Sequence, residues 1–484
     1  MPTPLMPSSS PSRLLAEQAL SRAAGAPLLS GNAVELLIDA AANYAAWLES
    51  IRGARQRVLL ENYIVRDDPV GREFRDALVE RAGAGVFVAV VVDWMGCLMQ
   101  SRSGFWAPLR AAGGEVRVYK PPKMGQPFGW LSRDHRKSLV VDGTAGFLSG
   151  VCISEKWLGD PTRNVPPWRD TGVALRGPVV AELEAAFAHS WGETGEALRE
   201  FAAPSGSAVA AGDVSLRLIA TQPSSAGMYR LDQLIASLAR RTLWLTDAYF
   251  VGIAPYVQAL VAAARDGVDV RLLVPGSSDI PAVARLSRSG YRPLLNAGIR
   301  VFEWNGSMLH AKTAVADGQW ARVGSSNLNI ASWLGNQELD VAIEDAGFAS
   351  QLAAQYELDL THATEIVLAP HHRAGRGNQV RSSEARPPRA RHAGGSSSRA
   401  AAGALRIANS VGAALTERRV LGDTSITPLL VGMLVLLILS VFAIVWPASI
   451  GWPFAALCLW FALNLGIRGW RVRRRRKQGA PTEP

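Results

Sequence analysis

Two stretches of this 484-residue chain carry one set of reactive side chains at one spacing. In residues 310–327, HAKTAVADGQWARVGSSN, His310 is followed by Lys312, by Asp317 and by the small polar turn Gly324-Ser325-Ser326-Asn327. In residues 135–152, HRKSLVVDGTAGFLSGVC, the residues His135, Lys137 and Asp142 repeat that spacing. Small or apolar residues alternate with polar ones around each lysine. This suggests a strand on which imidazole and ammonium share a face, because side chains repeat every second residue. Of the seven histidines only these two stand two positions before a lysine, so they mark one paired site rather than two unrelated strands.

Two imidazoles and two ammonium groups brought together by a pseudo-twofold axis suit reaction at a phosphodiester. The diester is anionic and repels nucleophiles, so the site has to supply positive charge. Lys137 and Lys312 do so as point-charge binders of phosphate oxygens. One histidine, neutral, can attack phosphorus to give a phosphohistidine. The other, protonated, can deliver a proton to the leaving oxygen and later deprotonate the acceptor. These steps need no metal and no cofactor. Ser149, Gly150, Ser325 and Asn327, in the small turns, are candidates for binding the substrate phosphate. Asp142 and Asp317 each follow an apolar strand and read as structural acids that cap backbone N–H groups.

The elements that must position these groups come as a tandem repeat. Residues 34–38, 58–65, 86–93 and 115–119 read as strands, and 12–24, 43–55 and 71–81 as helices, an α/β order. From about residue 214 that order recurs. LLENYIV at Leu59 matches LTDAYFV at Leu245, and ALVERAGAGVFVAVVVD at Ala77 matches ALVAAARDGVDVRLLVP at Ala259. LRAAGGEVRVYK at Leu109 matches LLNAGIRVFEW at Leu294. The expected fold is therefore α/β in two tandem domains, 31–200 and 213–366, related by pseudo-twofold symmetry and preceded by an arm at 1–30. The repeat also aligns Asp170 with Glu338, each just ahead of an apolar strand. A carboxylate that accepts the second ring N–H of a catalytic histidine fixes its tautomer and orientation. Asp170 and Glu338 are the candidates for this role.

Charge separates these domains from the tail. Residues 371–484 hold 17 Lys or Arg against 4 Asp or Glu, a net of +13, so the overall +10 leaves residues 1–370 at −3. Nonspecific affinity for nucleic acid needs clustered Lys and Arg, so no nucleic-acid partner is expected for the folded part. The three cysteines, Cys97, Cys152 and Cys458, are too few and too scattered for a disulfide framework, which favours a reducing compartment. Residues 371–425 read as a basic linker with a short amphipathic helix at 405–415. Residues 426–446 and 450–467 give 21 and 18 residues without a charge, a transmembrane hairpin over 426–467. Arg418 and Arg419 precede it and a basic tail at 468–484 follows it. The positive-inside rule thus puts both ends in the cytoplasm, with the catalytic region on the cytoplasmic face of an inner or plasma membrane.

The residues resemble the phospholipase D superfamily, whose signature is HxK, four residues, Asp, six residues and a small turn ending in Asn. The second copy matches throughout, from His310 to Asn327. The resemblance covers about residues 12–365 and is closest to bacterial cardiolipin synthases and their phospholipase D-like relatives. It runs through Trp168-Arg169-Asp170 with Arg176-Gly177-Pro178, Tyr249-Phe250, GVDVRLLVP at 267–275, and Asn336 with Glu338. It implies a sandwich-like α/β domain in two copies sharing one site, a covalent phosphatidyl-histidine, and transfer of that group to an alcohol. In cardiolipin synthases the acceptor is another glycerophospholipid, so phospholipids, with phosphatidylglycerol foremost, are the implied substrates. By analogy His135 is the nucleophile and His310 the acid, although the pseudo-symmetry gives no chemical reason to choose. The chain departs from the signature at Cys152, which stands where the second copy has Asn327, and a thiol is a poor donor to a phosphate oxygen. Two other readings stay open: a hydrolase, either phospholipase D or another phosphodiesterase, and a non-catalytic lipid-binding scaffold.

Overall fold

In the computed structural model, which describes residues 11–98, 104–122, 132–199, 210–368 and 459–460, the first half opens with α1 (Pro11–Ala24), β1 (Leu29–Ile38), α2 (Asp39–Gly53) and β2 (Arg57–Asn62). It continues through α3 (Pro69–Gly83), β3 (Phe87–Asp93), α4 (Ala107–Ala111), β4 (Glu115–Tyr119), β5 (Lys137–Val141), β6 (Ala145–Ser149), β7 (Thr171–Arg176) and α5 (Val179–Thr194). The second half begins with β8 (Val214–Thr221), α6 (Gly227–Leu238), β9 (Thr242–Thr246), α7 (Ala254–Arg265) and β10 (Asp269–Pro275). It ends with α8 (Pro281–Ser289), α9 (Tyr291–Asn296), β11 (Arg300–Trp304), β12 (Thr313–Ala316), β13 (Trp320–Gly324), β14 (Glu338–Glu344), α10 (Ala346–Leu360) and β15 (Ala363–Ile366).

The 15 strands form one sheet. Outward from the antiparallel seam between β1 and β8, the first half runs β1-β7-β6-β5-β2-β3-β4 and the second β8-β14-β13-β12-β9-β10-β11, with β15 added at its edge. The two halves thus lay down one topology about the seam. Local sequence explains the inner strands: β2 and β3 are buried at almost every position, and β3 reads as the continuous apolar run of a parallel strand covered on both faces, while β2 holds Arg57, Glu61 and Asn62 around Val58-Leu59-Leu60. It explains β1 less well. The alternation begins at residue 34, but the strand begins at Leu29, because Leu29 and Asn32 pair with Leu216 and Val214 across the seam. Leu59, Val140 and Val173 of one half share a hydrophobic cluster with Val315, Val323 and Val341 of the other, closed by α5 and α10.

Two features of the HxK segments differ from the sequence expectation or sharpen it. The histidines do not lie on strands: β5 starts at Lys137 and β12 at Thr313. Their backbones are taken by the opposite half instead, His135 N donating to Gln337 O at 2.9 Å and His310 N to Arg169 O at 2.7 Å. The motif acids sit at hairpin tips between β5 and β6 and between β12 and β13. Asp142 and Asp317 have φ of 52° and 54°, and Gly143 and Gly318 both have 66°, the Asp-Gly pattern of a type I′ turn. Each carboxylate then accepts three neighbouring backbone N–H groups, from Arg55, Gln56 and Arg57 in one half and from Arg240, Arg241 and Thr242 in the other. At about 1 kcal/mol per bond, each aspartate fastens the start of the neighbouring strand to its hairpin.

The chain divides into two units, and all of these elements belong to the first, residues 1–121 and 128–389. Of the second unit only Pro122 and the helical residues 459–460 are described. Residues 1–10 of the arm, the linker at 371–425, the hairpin at 426–467 apart from 459–460, and the tail at 468–484 lie outside the described residues. Among the described residues no helix is long and apolar enough to cross a membrane.

Candidate active site

Each histidine is oriented by a carboxylate from the other half. His135 Nδ1 lies 2.9 Å from Glu338 Oε2, and His310 Nδ1 lies 2.8 Å from Asp170 Oδ2. The crossing follows from the backbone bridges already described, since Gln337 and Arg169, which bind the histidine N–H groups, immediately precede the two acids. Both carboxylates are fully buried. Burial by itself raises a carboxylate's pKa, yet the facing His310 brings Asp170 down to about 2, and His135 brings Glu338 below its ordinary value. An ionised acid on Nδ1 makes Nδ1 the protonated nitrogen and leaves Nε2 as the reacting atom.

Burial also holds both histidines neutral. His310 is pushed down to about 4, by burial and then by the Lys312 charge, and His135 is lowered by burial. The lysines stand beside them. Lys137 Nζ donates to His135 O at 2.5 Å and lies 5.1 Å from the centroid of the Tyr63 ring. Lys312 Nζ donates to His310 O, lies 3.0 Å from His310 Nε2, and is 5.9 Å from the Tyr249 ring. Burial drives the Lys312 ammonium down to about 8, partly offset by Asp170. The ammonium is still mostly charged near neutrality, and an arriving phosphate anion strengthens its hold on the proton.

Of the turn residues, Ser325 Oγ donates to Glu338 Oε2 at 2.6 Å and accepts from Leu339 N at 2.9 Å. The Ser149 hydroxyl turns inward and accepts from Val151 N within its own turn. Gly150 packs directly against Asp170: a Cβ there would come within 2.2 Å of Asp170 Oδ1. Asn327 is buried with its Oδ1 unpartnered, an acceptor left for a bound hydroxyl or water. Cys152, at the aligned place, is buried, with its thiol pKa raised by that burial, and its carbonyl accepts from the Tyr44 hydroxyl at 2.5 Å.

Several groups around the histidines were given no role from the sequence, although Tyr249 lies in a stretch that carries the resemblance. Tyr63 and Tyr249, at equivalent places of the repeat, face His135 and His310 edge-on at 4.9 and 5.8 Å between centroids, and their alignment in LLENYIV and LTDAYFV was the available signal. Trp157 donates from Nε1 to Asp170 Oδ2 at 3.0 Å and meets the His310 ring at 5.5 Å; the β6–β7 loop that carries it is longer than its β13–β14 counterpart, and nothing local marks the residue. Arg136, between His135 and Lys137, is wholly buried, and its guanidinium binds Glu338 O, Ala186 O and Ser190 Oγ. Asp247 accepts from Tyr249 N and Leu328 N, tying the tyrosine to the turn after Asn327.

The comparisons with known proteins agree with this geometry. A family model described as "Cardiolipin synthase, PLD-like domain" matches residues 231–360. The chain is 32% identical over 348 residues to a cardiolipin synthase of Alkalihalophilus pseudofirmus, covering 70% of this chain and 68% of that protein. It is 33% identical over 354 residues to cardiolipin synthase A of Pseudomonas aeruginosa, covering 72% and 71%. Among solved structures, the phosphatidylserine synthase of Haemophilus influenzae matches with a TM-score of 0.56 at 15% identity, over 72% of this chain and 92% of that one, a likeness of fold. With a paired HxK site on that fold and relatives of this identity over two thirds of their length, the chain belongs to the phospholipase D superfamily, in the cardiolipin synthase family.

Proposed function

We propose that the site is a phosphatidyltransferase of cardiolipin-synthase type, working through a phosphohistidine. The observation that carries this reading is the crossed pairing of His135 with Glu338 and of His310 with Asp170 beside two buried lysines. The two domains, 31–200 and 213–366, each supply half of every His–carboxylate pair. Lys137 and Lys312 take the non-bridging oxygens of a phospholipid phosphodiester, with Asn327 and the turn at Ser325 alongside.

By analogy His135 Nε2 is the atom that attacks phosphorus, and His310, with Lys312 Nζ at 2.9 and 3.0 Å from its two ring nitrogens, is the acid. The P–O bond to the leaving alcohol breaks and its electron pair leaves with the oxygen. His310, recharged once the phosphate anion offsets the Lys312 charge, gives that oxygen a proton. An incoming glycerophospholipid hydroxyl then loses its proton to His310 and attacks phosphorus, breaking the P–N bond and freeing His135. With phosphatidylglycerol as donor and acceptor the products are cardiolipin and glycerol. The apolar run at 426–467, flanked by arginines, supports a hairpin that tethers the catalytic halves to the cytoplasmic face of the membrane.

The test is lipid mass spectrometry after incubating the purified full-length protein with phosphatidylglycerol, beside His310→Ala. Cardiolipin in the wild-type sample alone establishes the transferase. Phosphatidic acid alone makes the protein a hydrolase, and no product at all moves it to a lipid-binding scaffold.

A further inference from the structure

The strand registers place a defined set of loops at the catalytic end of the sheet. Lys137 pairs with Asn62 and Thr313 with Thr246, so the C-terminal ends of β2, β3, β9 and β10 point the same way as the HxK segments. The loops from β6 to β7 and from β13 to β14 lie there too, since Ser149 pairs with Gly172 and Gly324 with Asp340. Three of these loops carry exposed large apolar side chains: Leu158 and Val165, Ile280 and Leu286, Ile330 and Leu334, each 37–55% exposed. Met95 follows β3, and Leu358 stands next to Asp359, the partner of Arg169. Of the twelve exposed large apolar residues described in the first unit, eight are thus at this end, which random scatter does not produce.

The middle loop is wired to the site. Asp279 accepts from the Tyr249 hydroxyl at 2.7 Å and pairs with Lys156 at 3.7 Å, and Tyr249 faces His310. Exposed basic residues lie among the apolar ones: Lys156, Arg163, Arg285 and Arg292. The acids nearby are Glu155, Glu357 beside Leu358, Asp67, paired with Arg72, Asp160, which caps its own turn, and Asp279, already paired. Apolar side chains with cations between them, ringing the mouth of a site, fit the boundary between headgroups and acyl chains of an anionic bilayer.

We propose that this ring is an interfacial docking surface, by which Leu158, Ile280, Leu286 and Ile330 enter the bilayer and hold the site mouth against anionic phospholipid. The inference rests on the lipid-transfer reading but names a surface that reading does not require. A substrate then passes from bilayer to histidines without crossing water, while the tail segments only keep the enzyme nearby.

The test places a polarity-sensitive fluorophore at Leu286→Cys, Ile330→Cys or, at the opposite end of α6, Leu238→Cys, in full-length protein carrying Cys458→Ser. Cys97 and Cys152 are buried and do not compete for label. On phosphatidylglycerol and phosphatidylethanolamine vesicles with brominated acyl chains, labels at 286 and 330 are quenched several-fold more than the label at 238. Equal quenching at the three positions overturns the proposal. Independently, Leu286→Asp with Ile330→Asp lowers transfer from vesicle lipid about tenfold and leaves the rate on monomeric short-chain phosphatidylglycerol unchanged; equal loss on both substrates, or on neither, also overturns it. Absence of transfer by the wild-type protein would sink the enzymatic reading and leave the quenching result to decide the surface.

Discussion

Glu338 is held by Ser325 and Asn336 in addition to His135, whereas Asp170, at the corresponding place of the other half, is held by Trp157 in addition to His310. The two arrangements are alternative ways to fill one space. Where the turn offers Ser325, the longer glutamate reaches its hydroxyl; where it offers Gly150, the shorter aspartate sits so close that no side chain fits. The layer beneath diverges further. Arg322 is buried with Asp232, Asp340 and Ser326, and burial pushes Asp340 up to about 7, while the aligned Phe147 and Val151 belong to an apolar core in which Phe147 meets Trp47, and the aligned Gly172 packs against Asn43. The crossed His–carboxylate pairs and their backbone bridges survive this divergence. Symmetry is thus kept where atoms react and relaxed where atoms only support.

If the two halves act as nucleophile and acid, the largest effects come from the histidines. His135→Ala and His310→Ala should each lower kcat for lipid transfer by about a thousandfold or more. A diester with a nitrophenol leaving group separates them, because that oxygen departs without a proton. His310→Ala should then recover release of nitrophenol, measured by absorbance in the first turnover, and His135→Ala should not. Recovery by His135→Ala instead would exchange the roles of the halves.

The carboxylates come next. Asp170→Asn and Glu338→Gln keep an acceptor for Nδ1 but remove the charge that stabilises an imidazolium, and each should cost about a hundredfold in kcat with thermal stability retained. Because the acid must carry a proton in the first step, Asp170→Asn should be the variant rescued by the nitrophenol substrate. Equal rescue of both would erase the distinction drawn between the halves.

A smaller effect follows from Lys312, whose ammonium is brought down to about 8 by burial. Its charged form binds the phosphate, and that form is present below this value and lost as pH rises through it. As kcat/KM reports the free enzyme, in which His310 has already lost its proton well below neutrality, its fall should steepen by a further factor of about ten per pH unit above pH 8. The limb in kcat should lie higher, since bound phosphate favours the ammonium. Lys312→Arg, which stays charged, should flatten the alkaline limb of kcat/KM at a lower overall rate; an unchanged limb would assign it elsewhere.

Much of the scaffold is written locally. The apolar run of β3, the repeat of LLENYIV in LTDAYFV, and the spacing of His, Lys and Asp are all visible without coordinates, and they place the reacting groups in two equivalent frames. What local pattern cannot carry is pairing across the chain. Nothing in the neighbourhood of His135 says that its N–H and its Nδ1 go to Gln337 and Glu338, roughly 200 residues on, and so the histidines read as strand residues when they only follow the isolated bridges at Asp134 and Leu309. Trp157 was invisible for a related reason, since its partners Asp170 and His310 are reached through a loop that is longer in the first half than in the second. Side chains fixed by long-range partners leave no period to read.

The finest test of the comparison is to make the second half resemble the first. In Ser325→Gly the hydroxyl that donates to Glu338 and accepts from Leu339 N disappears, as it is already absent at Gly150. A hydrogen bond to a charged group contributes about 1.5–3 kcal/mol, but Glu338 keeps His135 and Asn336 as donors, so the expected loss is about tenfold in kcat with KM unchanged. The pH profile gives the readout that simple loosening would not. Removing a donor to the carboxylate lets its pKa rise from the lowered position that His135 and Ser325 maintain, so Glu338 is protonated at higher pH and the acid limb of kcat shifts upward. The converse exchange, Cys152→Asn, restores the amide of the second turn without touching Asp170, and should change kcat by less than about threefold, since the Tyr44 bond there is to the backbone carbonyl and does not depend on the side chain. A larger effect at Cys152 than at Ser325 would mean that the turn ends, rather than the carboxylate supports, divide the labour between the two halves.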